Sequence, residues 1–246
     1  MIKNFIVDRI VRGNMYDTKT GELLWSLNQI QSPSLTMDAE TVEAKDALGT
    51  TIMSFDRAKT CTFSAENAIF DMALLGEIVG SEAVEGNTII PVFETLTVAN
   101  GEVTVANTPK EAIEYIYIVN GDGSLGKQIE AGTGFTMANK KITISDVDAV
   151  EGTQVFVSYD YEGKATSVTN SANNFPKAGK FVMEVLGRDV CDATTEIYAM
   201  LVLPSAKLSA NTDISFETEM TMGFELVAQQ NYCSATNELF TLIIPE

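Results

Sequence analysis

Along most of the chain apolar and polar residues alternate, and the alternation is cut into short runs by Gly, Asn and Asp, the pattern of antiparallel strands joined by turns. One stretch departs from it. Ser54 to Gly80 (SFDRAKTCTFSAENAIFDMALLGEIVG) reads as a strand that ends at Phe63 and passes into a helix, with Ala65, Ala68, Ile69, Met72, Leu75, Ile78 and Val79 at helical spacing. Ser64 stands where an N-cap is expected, Glu66 puts negative charge near the positive end of the helix dipole, and Gly80 supplies the stop. A lone helix in a strand-rich chain is expected to cover one face of a sheet.

Ahead of that stretch, Ile2 to Val11 alternates, and Asp17 and Gly21 favour a reversal. Leu23, Trp25 and Leu27 then fall on one face of a second strand, with the sole tryptophan as a core or interface anchor. Ser32 to Phe55 reads as a long exposed hairpin or loop that joins two strands, with Pro33 at its entry and a turn at Leu48-Gly49. Residues 86–164 carry hairpin signals at Asn100-Gly101 and Asn120–Gly123 and strands at 142–144 and 155–161, which predict a small inserted β-sandwich or barrel. Long strands follow, bracketing a turn at Asp192–Thr194. The run from Ile214 to Ala228 alternates with a register change near Thr218 or Thr221, and the last strand lies in ELFTLIIP.

Composition narrows the chemistry more than the fold. The chain has 246 residues, 45% hydrophobic and 20% charged, and no apolar run of bilayer-spanning length. Charges interrupt the apolar residues of MIKNFIVDRIVRGN, so no signal peptide is read and folding in the cytoplasm is expected. Cys61, Cys191 and Cys233 show no paired spacing and read as reduced, partly buried thiols. The net charge of −18 disfavours a grip on nucleic-acid phosphates. The absence of histidine removes Ser-His-Asp and Cys-His catalysis and His-containing zinc sites.

The remaining motifs fare poorly. Asn120, Asp122 and Ser124 alternate like calcium ligands, yet the sixth loop position is not Gly and the twelfth is Ala131 rather than Glu. Gly121, Gly123 and Gly126 have phosphate-loop spacing without a strand-to-helix junction. The pairs Asp146/Asp148, Asp160/Glu162 and Glu217/Glu219 share strand faces, with no aromatic sugar platform evident beside them, and read as solvated. No catalytic residue, cofactor or metal site is assigned, and no enzyme is expected.

Taken in order, the early strand with Trp25, the acidic stretch 32–55, the passage KTCTFSAENAIFDMALLG and the strands around GKFVMEVLG and DISFETEMTMGFELVA resemble the tail tube proteins, or major tail proteins, of long-tailed bacteriophages. The resemblance implies a mainly β chain: a β-sandwich or barrel tail-tube core of residues 1–85 and 165–246 with one flanking α-helix, and an inserted small, Ig-like β-sandwich at 86–164. It further implies a virion protein, assembled in the host cytoplasm, that forms stacked hexameric rings through which DNA passes during ejection. The partners implied are further copies and the tail terminator, tape-measure and baseplate proteins. The long stretch would reach a neighbouring ring, with Glu40, Glu43, Lys45, Asp46 and Leu48 as contacts. Two other classes stay open: another virion protein (neck, terminator or decoration) and a β-sandwich binding module.

Overall fold

The computed structural model describes residues 4–245 apart from 193, 211, 213, 215–217, 219, 220 and 231–236. Its elements in chain order are β1 (Phe5–Asp17), β2 (Leu23–Leu27), β3 (Ile30–Lys45), β4 (Thr51–Asn67), α1 (Met72–Val79), β5 (Val84–Thr97), β6 (Glu102–Thr104), β7 (Tyr115–Val119) and β8 (Leu125–Glu130). β9 (Phe135–Ala138), β10 (Lys141–Ile144), β11 (Gln154–Ser167), β12 (Ala178–Asp189), β13 (Glu196–Leu208), β14 (Met222–Ala228) and β15 (Thr241–Ile243) complete them. The mainly β expectation is borne out. The chain divides into two compact units, Met1–Ala83 with Val168–Glu246, and Val84–Ser167.

In the first unit one antiparallel sheet runs β2-β1-β12-β13-β14-β4-β3, with β15 also pairing β13. β13 pairs β12 along most of its length but meets β14 only at Ala206–Leu208. The sheet folds back on itself there, because rings from distant strands touch. Trp25 of β2 lies 5.7 Å from both Phe181 of β12 and Phe224 of β14, and Phe63 of β4 lies 5.1 Å from Phe181. Leu74 and Ile78 of α1 join this core, so the helix does cover an apolar sheet face. Trp25 and Leu27 are buried, whereas Leu23 is exposed because the β1–β2 register slips between Met15 and Tyr16.

The helix begins later than the apolar spacing suggests. β4 stays hydrogen-bonded as far as Asn67, which pairs with Ile30 on one side and Met222 on the other, so Ser64 and Glu66 are strand residues. Asp71 is the N-cap, its Oδ1 accepting from the Leu74 N–H at 2.8 Å. Gly80 ends the helix in the left-handed region (φ 70°) as expected, and a Cβ there would collide with the Phe175 backbone. Pro33 lies inside β3 rather than at a loop entry. It is tolerated because β3 is the sheet's edge and the register shifts between Gln31 and Ser34. Of the thiols, Cys61 is buried and Cys191 exposed, against the expectation that all three are partly buried; Cys233 lies outside the described residues. The run read as one alternating strand from Ile214 is not continuous: β14 starts at Met222, which bridges back to Ile214, and most of 211–220 lies outside the described residues.

Glu77 on α1 is half-buried, and burial pushes its carboxyl above the usual range while Lys177 partly opposes the shift. The folded protein therefore holds this proton more tightly than the unfolded chain. The associated stability is complete below the ordinary value of 4.5 and is lost as pH rises through the folded value. Glu77→Gln is expected to stabilise the protein at pH 7 by a few tenths of a kcal/mol, about the scale left after solvent screening. The gain should vanish near pH 4 in thermal melts of both forms; a loss at pH 7 would show that the charge is used.

In the second unit a four-stranded sheet, β5-β11-β7-β8, and a three-stranded sheet, β6-β10-β9, enclose one core. Ile116, Val155 and Val157 come from the first sheet, and Val103, Phe135 and Ile142 from the second. The Asn100-Gly101 turn is present with both residues at positive φ, and so is the reversal at Asn120–Ser124. Tyr159 is buried and its hydroxyl donates to Glu94, whose carboxylate also accepts the Ala106 N–H, tying the segment after β6 to the larger sheet.

Candidate assembly surface

The stretch that reads as a long exposed hairpin or loop is a β-hairpin, β3 and β4, closed at residues 46–50. Its root belongs to the core, where Cys61, Phe63 and Ala65 are buried. Beyond the root it stands alone: from Thr36 to Thr60 every residue but Val42 is exposed. At about 3.4 Å per residue this arm reaches roughly 30 Å. The sequence-predicted contact residues all lie on it. Glu40 faces Arg57, and Glu43 accepts from Thr51 Oγ1 at 3.1 Å and pairs with Lys45 Nζ at 3.1 Å. Asp46 Oδ1 accepts from the N–H groups of Leu48 (2.9 Å) and Thr50 (2.8 Å), closing the turn, and Leu48 is 92% exposed at the tip.

The apolar side of the arm escapes a reading based on charge. Opposite Asp38–Glu40, β4 carries one extra residue at Ala58-Lys59, with Ala58 at φ 53°, so the two strands pair Asp38 with Thr60 but Glu40 with Arg57. The bulge reverses which side of the sheet the odd-numbered residues of β4 occupy. Cys61 and Phe63 face the core, whereas Met53 and Phe55, paired with Ala44 and Val42, form an apolar patch on the other side. Met53 and Phe55 are about half exposed, and among the described residues the outer edge of β3 has no strand partner. A two-stranded ribbon without a core of its own is marginal in water, and a long open edge is a template for another strand.

Two of the other motifs are locally satisfied. Asp146 and Asp148 both grip Lys127 Nζ, at 3.0 and 2.6 Å. Asp122 accepts from the N–H and hydroxyl of Ser124, bonds that hold its carboxyl below the usual range, and forms a turn rather than a calcium loop. Asp160 and Glu162 are on β11; Glu217 and Glu219 lie outside the described residues. Among the described residues no cluster could hold a metal ion, and no helix is long and apolar enough to cross a membrane.

A folded-over β-sheet core that projects a long exposed arm defines a mainly β protein. The chain belongs to the YomU/Tube protein family, whose family model matches residues 5–236. It is a phage tail tube protein and hence a structural component of the virion. A comparison with curated proteins finds no match.

Proposed function

We propose that the protein assembles with copies of itself into hexameric rings that stack into the tail tube through which DNA leaves the virion. In this reading residues 1–85 and 165–246 form the tube core, and 86–164 is an Ig-like insert carried by it. The observation that carries it is the arm: about 25 residues exposed on both faces, with an apolar patch and an edge unpaired among the described residues. The first unit's sheet ends at β2 on one side and β3 on the other, so each copy offers two different edges. Head-to-tail contacts of that kind close into rings where the rotation between neighbouring copies closes. Glu40, Glu43, Lys45, Asp46 and Leu48 would contact the next ring, with Phe55 and Met53 beside them. The tail terminator, tape-measure and baseplate proteins are the expected partners at the tube ends and interior. The charge of −18 per copy supports a conduit, because an acidic wall repels DNA phosphates instead of holding them.

Negative-stain electron microscopy over a concentration series, with size-exclusion chromatography alongside, tests the proposal. Rings with six copies, or hollow tubes, are expected. A monomer that persists at high concentration would turn the assignment toward a virion protein that does not stack.

A further inference from the structure

On the larger sheet of the second unit, the side turned away from the core is aromatic. Ser158 of β11 pairs with Phe93 of β5, and Phe156 pairs with both Thr95 of β5 and Tyr117 of β7. These residues alternate with Val155 and Val157, which are fully buried. Phe93 is 69% and Tyr115 39% exposed, and the Phe93 and Phe156 rings are near-parallel, 12° apart with centroids at 6.1 Å. Beside these rings opens a cleft of about 420 Å³ lined by Lys110, Glu114, Tyr115, Tyr117, Ser158 and Asp160. The Lys110 N–H donates to the Asp160 carbonyl at 2.7 Å, fixing segment 110–114 as one wall. The polar ends of all six side chains make no hydrogen bond or ion pair among the described residues, unlike Lys127 with Asp146 and Asp148 in the same unit.

We infer that this cleft binds a neutral oligosaccharide. A pyranose presents an apolar C–H face, which suits an exposed aromatic ring, and a rim of hydroxyls, which suits carboxylates, a serine hydroxyl and an ammonium group. The charges select against other ligands. Glu114 and Asp160 repel phosphates and other anions, and the Lys110 ammonium repels a cation seated on the tyrosines. Past Val157 β11 pairs only with β5, and on its other side the Lys110 N–H already takes the Asp160 carbonyl, which leaves a peptide strand only a short stretch of edge to pair with. The inference does not depend on tube assembly.

Saturation-transfer NMR on the full chain tests it, with cellotriose and maltotriose as β- and α-linked neutral probes. Transfer to ring C–H protons is expected with a Kd of about 1 mM, weakened at least about tenfold by Tyr115→Ala and by Asp160→Asn. Both residues are on the surface, so thermal melts should match the parent, and Phe55→Asp should leave binding unchanged. No transfer to either trisaccharide at about 10 mM, well above that Kd, would overturn the inference. So would binding indifferent to both substitutions, or a saturable response to tetramethylammonium or inorganic phosphate with none to the sugars.

Discussion

Replacing Phe55 by Asp and Met53 by Ser is expected to abolish tube formation while leaving the protomer folded. Both side chains are already half in water, so the protomer should lose no more than about 0.5 kcal/mol, the usual range for surface changes. In an assembly that covers the patch, an unpaired carboxylate and two lost apolar side chains should weaken each contact at least about 100-fold, and many contacts fail together. Electron microscopy of the double variant at a concentration where the parent polymerises, with a thermal melt of the same sample, separates the two effects. Tubes that survive would remove this side of the arm from the interface. Deleting residues 38–50 is the coarser form of the same test, and its loss of tubes alone would not say which side matters.

Phe181→Ala is the second large effect, and it acts on folding. Phe181 is fully buried where the sheet folds back, and its ring touches those of Trp25 and Phe63. Truncation leaves a cavity where β2, β4 and β12 meet, with a loss of about 3 to 5 kcal/mol. That is a large part of the roughly 5 to 15 kcal/mol that holds a typical domain. Denaturant melts should show the first unit unfolding earlier, with the second unit's transition unmoved because its core shares no residue with this one. A shift below about 1 kcal/mol would mean that the site collapses around the smaller side chain.

Much of this architecture is legible in the chain because local chemistry decides it. Asn100-Gly101 forces a hairpin since both positions need positive φ, Gly80 stops a helix for the same reason, and Trp25 is buried where the strand's alternation puts it. Elsewhere two patterns share the same letters. Phe63, Ala65 and Asn67 satisfy strand alternation as well as Ala65, Ala68 and Ile69 satisfy a helix, and only pairing with β3 and β14 decides for the strand. The arm shows the same limit. Its charged residues mark it as exposed, but Met53, Phe55, Cys61 and Phe63 are all odd-numbered and look like one buried row until the bulge at Ala58 splits them. The aromatic side of the second unit is likewise divided between β5, β7 and β11, far apart in sequence, so no single window displays it.

The pairing of β1 with β12 brings residues 5–17 against 179–189, and the whole second unit is threaded between them. As the chain leaves the ribosome, Val84–Ser167 is complete and able to close its own core while the first unit still lacks β12, β13, β14 and β15. The early folding of that unit draws the two halves of the other together. It shortens the effective loop that β1 must close, a step that is slow when contacts are distant in sequence. Until β12 to β14 arrive, the apolar face around Trp25 and Phe63 has no lid, and misassembly between nascent chains is the hazard of that interval.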